Sequence, residues 1–157
     1  MNGRDFNAQD WASERRAFLE IEPGEAATII EHWRATAEAA TGITGVEFAA
    51  AFQRHYTAFG TGLPPNFALV LTPDEAIAFK FDPANIQHPR GTSAGQFKGE
   101  ERRWPRSALR VSEIEQGRLA WGLKIEVEGA KTLPCRAPQL PKNPAAAAVA
   151  WALGGQL

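Results

Sequence analysis

Histidine and neighbouring carboxylates are the side chains of this chain most able to bind a metal or transfer a proton. His32 follows Glu31 on a predicted helix, and Glu47 and His55 lie farther along the chain. Facing helices can supply such ligands, and the same groups could act as acid and base. Neither His-Glu-x-x-His nor Glu-x-x-His occurs around them. We therefore interpret these histidines as solvated or core-edge residues, and we predict no metal site.

Candidate nucleophiles also lack the neighbours that catalysis needs. Cys135 is the only cysteine, which excludes an intramolecular disulfide, and it falls on the inward phase of a predicted strand. A free cysteine in such a place is usually a small buried hydrophobe. Ser93 and Ser107 have no Gly-x-Ser-x-Gly context, and the glycine-rich nucleotide motifs are absent. We expect a protein that is not an enzyme and that needs no cofactor.

One cluster of basic residues is the best candidate for a binding site. Together with a neighbouring tryptophan, the candidate binding residues are Lys98, Arg102, Trp104, Arg106 and Arg110. Arginine can clamp a phosphate group with two hydrogen bonds, so the cluster has the chemistry to bind an anion. Glu100 and Glu101 lie among these residues and offset their charge. A solvated, charged strand face is therefore the alternative interpretation.

Composition limits the class of protein. The 157 residues fit one domain, 44% of them are hydrophobic, and five Trp and nine Phe argue against disorder. With 17 basic and 18 acidic side chains the net charge is −1, so general nucleic-acid binding is not expected. No apolar run reaches the roughly 20 residues of a membrane span, and no signal peptide is evident. A cytoplasmic location is the default expectation.

Helical spacing dominates the first part of the chain. One helix is predicted to start near Asp10, with Asp10 as its cap, and a second to cover residues 23–40. Thr44 and Glu47 match a capping box, and the aromatic residues that follow predict a third helix over residues 44–59. Glycine and proline over residues 60–65 then mark a boundary. We predict a helical extension over residues 1–62 and a β-module over residues 63–157, packed as one unit.

Alternation with a period of two predicts a largely β-structured second part. Strands are predicted at residues 67–71, 77–81, 96–104, 119–127 and 133–135, and a further strand is led by Leu109 and Val111 and ends before a turn at residues 116–117. The first two form a hairpin through a turn at Thr72, and residues 82–95 form a polar loop. Asn143 and Pro144 predict the start of a final helix. The fold class is α+β with an antiparallel sheet.

Three segments carry a resemblance to a known family. Phe67 to Phe79 looks like an opening hairpin with a Thr-led turn, Trp104 to Val111 resembles a central segment, and Asn143 to Ala146 begins a closing helix. This order resembles the bacterial pleckstrin-homology-like (PH-like) domains over residues 65–157. The resemblance implies a bent antiparallel sheet or partly open barrel of six or seven strands, with a C-terminal helix at one end. It also implies binding of lipids, peptides or proteins.

These observations lead to a non-catalytic binding or scaffolding module that recognises a protein or peptide. The expected contact surfaces are the loop at residues 82–95, the segment at residues 104–110 and the outer face of the helical extension. Homodimerisation through the extension or a sheet edge remains an alternative, as does peripheral lipid contact. The alternative function is a small-ligand or lipid-headgroup binding protein with a pocket between helices and sheet.

Overall fold

A computed structural model describes residues 6–54, 62–83, 91–116, 120–129, 132–138 and 143–156. In chain order its elements are α1 (Ala8–Glu14), α2 (Arg16–Leu19), α3 (Pro23–Thr41), β1 (Phe48–Arg54), β2 (Asn66–Leu71), β3 (Glu75–Phe81), β4 (Phe97–Pro105), β5 (Leu109–Gln116), β6 (Ala120–Val127), β7 (Leu133–Pro138) and α4 (Pro144–Ala152). Single 3-10 turns precede β4 and β5. The predicted α+β class is confirmed.

The helices begin and end at residues that satisfy free backbone groups. The side-chain oxygen of Asn7 accepts hydrogen bonds from the backbone N–H groups of Gln9 and Asp10, so Asn7 caps α1 in place of the predicted Asp10. Pro23 occupies the first turn of α3, and Gly42 ends that helix with a φ of 75°. Asn143 caps α4 by accepting from the N–H of Ala146. The helices predicted at residues 23–40 and after Asn143 are confirmed.

The seven strands form one antiparallel sheet in the order β4-β3-β2-β1-β7-β6-β5. Strands β4 and β5 are thus the two edges, yet only Arg106–Ala108 separate them along the chain. In a flat sheet, outer strands six spacings apart would lie about 29 Å from each other. The short connection reaches at most about 14 Å. The sheet must therefore bend until its two edges approach at one end, although it is not closed into a barrel.

Strand β1 corrects the sequence-based prediction of a helix over residues 44–59 as far as residue 54, and residues 55–59 lie outside the described part of the chain. Residues Phe48–Arg54 are extended, with Phe48 opposite Leu71 and Phe52 opposite Phe67 on β2. The aromatic spacing of four fits a helix but also fits alternate positions on a strand. Alanines at the intervening positions hide the alternation, because Ala49 and Ala50 are both buried. The predicted capping box is not formed either, since the N–H of Glu47 donates to the carbonyl of Leu71.

The helices pack against both faces of the sheet. The strand register places Phe48 and Trp121 on one face and Phe81 on the other. Trp151 of α4 contacts Phe48, and Phe18 of α2 contacts Trp121 at 4.9 Å between ring centroids. Trp33 of α3 meets Phe81 on the opposite face at 5.8 Å. The division at residue 62 stays a prediction, although β1 belongs to the same sheet as the later strands.

Candidate binding site

An open groove of about 680 Å³ lies between the start of α1, one side of α3 and the segment that connects α3 to β1. We call it the α1–α3 groove. Its apolar lining consists of Phe6, Ala8, Ala27, Ile30, Val46 and Pro73. Its charged lining consists of Glu31, Arg34, Glu38 and Glu47. The volume falls within the range of known ligand sites, and the groove combines apolar contact surface with fixed charges.

Arg34 is held in place by two carboxylates of its own helix. Its Nε and Nη2 donate to the two oxygens of Glu31 at 2.9 and 2.7 Å, and its Nη1 donates to Glu38 at 2.7 Å. The hydrogen bonds that Arg34 donates to Glu31, and then the one it donates to Glu38, raise the pKa of Arg34 above its ordinary value, although burial opposes this. The guanidinium therefore stays charged, and each of its three nitrogens already donates a hydrogen bond to Glu31 or Glu38.

Glu38 connects α3 to the loop that leads into β1. One carboxylate oxygen accepts from Arg34, and the other accepts from the backbone N–H of Val46 at 3.1 Å. The hydrogen bond from Arg34, with help from the backbone of Val46, lowers the pKa of Glu38, whereas burial acts in the opposite direction. Glu38 is therefore ionised near neutral pH, and it fixes the wall of the groove opposite α1.

Arg106, one of the predicted binding residues, is part of an internal bridge. Its Nη1 donates to Glu47 at 2.7 Å and to the carbonyl oxygen of Thr72 at 2.8 Å. The side chains of Arg106 and Glu47 are only 20% and 10% exposed. This bridge joins the β4–β5 connection to the β2–β3 turn and to the start of β1. Arg106 thus stabilises the fold at this corner, and its role in binding a ligand stays a prediction.

The other predicted residues lie on the two edge strands. Lys98 and Arg102 are exposed on β4, and the guanidinium of Arg102 stacks over the half-buried Trp104 at 5.3 Å from the ring centroid. Arg110 lies on β5 and pairs with Glu126 of β6, and both side chains are exposed. The structure therefore brings Arg102 and Trp104 together, but it does not gather the five residues around one anion site.

Both edges of the sheet carry features that oppose strand addition. Strand β4 is irregular where it pairs with β3, and residues 98–103 are exposed and largely charged. Bulges and charges of this kind blunt an edge. On β5, which is also irregular, the N–H of Val111 donates to the carbonyl oxygen of Leu153. The homodimer through a sheet edge stays an untested alternative, with little geometric support.

The residues considered for catalysis have other partners. The Nε2 of His32 lies 2.7 Å from the carbonyl oxygen of Thr92 and must donate to it, while Arg34 binds Glu31. His55, His88 and residues 84–90 of the predicted contact loop lie outside the described residues. Within the described ranges, no three His, Cys, Asp or Glu residues are placed to hold a metal ion. Burial raises the pKa of Cys135 to about 12, so its thiol stays protonated near neutral pH.

Comparison with known proteins assigns no family. No protein-family model matches the chain, and no curated protein matches it either. The architecture is compatible with the PH-like fold that the sequence suggested, because helices precede a bent seven-stranded antiparallel sheet and one helix follows it. Among the described helices, none is both long enough and apolar enough to cross a membrane.

Proposed function

We propose that this chain is a non-catalytic module that binds a partner protein by taking up a short peptide segment in the α1–α3 groove. The observation that supports this function is the groove itself. It is open to solvent, its accessible apolar lining includes Phe6, Ala8 and Ala27, and its charged groups are held in fixed positions by ion pairs. Apolar contact surface gives affinity, and a few fixed polar groups give orientation, as in other recognition sites.

The shape of the groove favours a polymer over a small molecule. Sites for small ligands usually enclose most of the surface of the ligand. This groove is open to solvent, so a chain can cross it while only some of its side chains enter. A lipid headgroup or another anion has less support there, since Arg34 already engages Glu31 and Glu38. That alternative function would need a guanidinium or ammonium group directed at the ligand.

A peptide-display selection tests the proposal. The matched variants are Ala27→Trp, which places an indole in the groove, and Ala39→Trp, on an exposed position of the same helix outside the groove lining. Peptides enriched on the parent protein are expected to bind Ala27→Trp at least about tenfold more weakly, because the groove is filled. They should bind Ala39→Trp as tightly as the parent. Failure to enrich any peptide, or equal binding to both variants, would contradict the proposal.

A further inference from the structure

We infer that the segment bound in the α1–α3 groove carries a basic side chain next to an apolar one, an inference that rests on the proposed function. Three carboxylates line the groove, from Glu31, Glu38 and Glu47, and they face two guanidinium groups, that of Arg34 in the lining and that of Arg106 bound to Glu47, which leaves one negative charge in excess. A cationic group gains attraction from this excess of negative charge. The half-buried side chains of Phe6 and Ala27, which also line the groove, accept the neighbouring side chain.

The hydrogen-bonding capacity of the groove agrees with its charge. An ionised carboxylate has no hydrogen to donate, so it acts solely as a hydrogen-bond acceptor. Its two oxygens offer about four acceptor positions. The contacts described for Glu31 use two of these positions, both for Arg34. Arg34 in turn already directs three of its N–H groups at Glu31 and Glu38. The groove therefore presents mainly acceptors, and a lysine or arginine side chain supplies the donors that these acceptors require.

The geometry also shows which of the acidic groups a ligand can reach. The hydrogen bond from Arg34 holds the carboxylate of Glu38 against α3, and Arg106 holds that of Glu47 from within the protein. Glu31 is 62% exposed, so it is the carboxylate most accessible to an incoming group. A basic side chain that reaches Glu31 would share that carboxylate with Arg34 without entering the core. Its apolar neighbour would contact Ala27, which lies one helical turn before Glu31 on α3.

Four synthetic peptides of equal length test this inference on the full chain. One alternates Leu with Arg, one Leu with Glu, one Leu with Gln, and one Gly with Arg. We expect the Leu/Arg peptide to bind most tightly, because it alone combines both properties. The protein variants are Glu31→Gln and its control Glu25→Gln, which removes the same charge from an exposed position of α3 away from the groove lining.

Glu31→Gln should weaken binding of the Leu/Arg peptide about three- to fivefold and reduce its dependence on salt, whereas Glu25→Gln should have little effect. Equal binding of the Leu/Gln or Leu/Glu peptide would overturn the inference, as would equal effects of the two variants. In either case the groove proposal would survive if display-selected peptides still lost affinity for Ala27→Trp. If no peptide of any charge binds and the display selection also fails, the inference falls together with the proposed function.

Discussion

At the scale of single residues, the same residue type serves different purposes at different depths. Arg106 was predicted to bind a ligand because it belongs to a run of basic residues, yet it bridges Glu47 and the carbonyl of Thr72. Arg110, four positions later, pairs with Glu126, and both side chains are exposed to solvent. Their spacing in the sequence could not show that these two arginines have different roles. Their partners lie 59 and 16 residues away along the chain, and only the fold brings those partners close.

Replacing these two arginines should separate their roles. Arg106→Ala leaves the largely buried carboxylate of Glu47 and the carbonyl of Thr72 without their donor. We expect the free energy of unfolding to fall by about 2 kcal/mol, as for other lost hydrogen bonds to charged groups. Arg110→Ala removes an exposed pair and should leave stability essentially unchanged. Urea unfolding of both variants measures the difference, and equal losses would show that the Arg106 bridge is not structural.

At the scale of elements, the sequence predicted most of the fold because most elements carry local signals. Proline and glycine bound α3, asparagine caps α4, and alternation marks six of the seven described strands. Strand β1 was mistaken for a helix because residues on both of its faces are buried. Apolar residues therefore occupy successive positions, and the alternation of polar and apolar residues that marks a strand is absent. A strand of this kind is specified by its pairing with β2 and β7, and no local pattern reveals that pairing.

The junction between α4 and β5 offers a second test at this scale. A Cβ atom at Gly155 would lie 2.8 Å from Ile114 Cδ1 and 2.9 Å from the carbonyl oxygen of Ala150, so Gly155→Ala must displace the backbone. We expect a loss of about 1–3 kcal/mol in the free energy of unfolding. At Gly24, in the first turn of α3, nothing lies within 4 Å of the added atom.

Gly24→Ala is therefore the matched control for Gly155→Ala. Alanine loses less conformational freedom than glycine when a helix forms, so this change should raise stability by about 0.4–1 kcal/mol. Thermal and urea unfolding measure the change in the free energy of unfolding of each variant. If α4 packs against β5 as closely as the structure shows, Gly155→Ala lowers this free energy and Gly24→Ala raises it. A neutral or stabilising Gly155→Ala would mean that the chain after α4 does not pack against Val111 and Ile114.

At the scale of the whole molecule, the α1–α3 groove could be predicted only in part. Glu31 and Glu38 lie three residues before and four residues after Arg34, and this spacing predicts ion pairs along one side of a helix. The opposite wall could not be predicted, because it depends on how the α3–β1 connection folds back onto Glu38. Because residues 44–54 were wrongly assigned to a helix, that wall was not predicted from the sequence.

The distribution of ion pairs gives the whole molecule a predictable response to acid. Hydrogen bonds from Arg34, Arg103 and Arg110 lower the pKa values of Glu38, Glu100 and Glu126 respectively. In the unfolded chain these carboxyls regain their ordinary pKa of about 4.3 and bind protons first as the pH falls. Stability is therefore fully present above that value, and it is lost progressively as the pH falls through the lower pKa values of the folded protein.

Urea midpoints measured between pH 7 and pH 3 test this response. We expect a plateau above about pH 5 and a steady decline below it. Because Glu38 is partly buried and also accepts from the backbone of Val46, Glu38→Gln should flatten the decline more than Glu25→Gln does. Added salt should weaken the contributions of the exposed pairs of Glu100 and Glu126 more than that of Glu38. A decline of the same slope in both variants would show that the Arg34–Glu38 pair does not couple protonation to folding, and that the groove wall is held by other contacts.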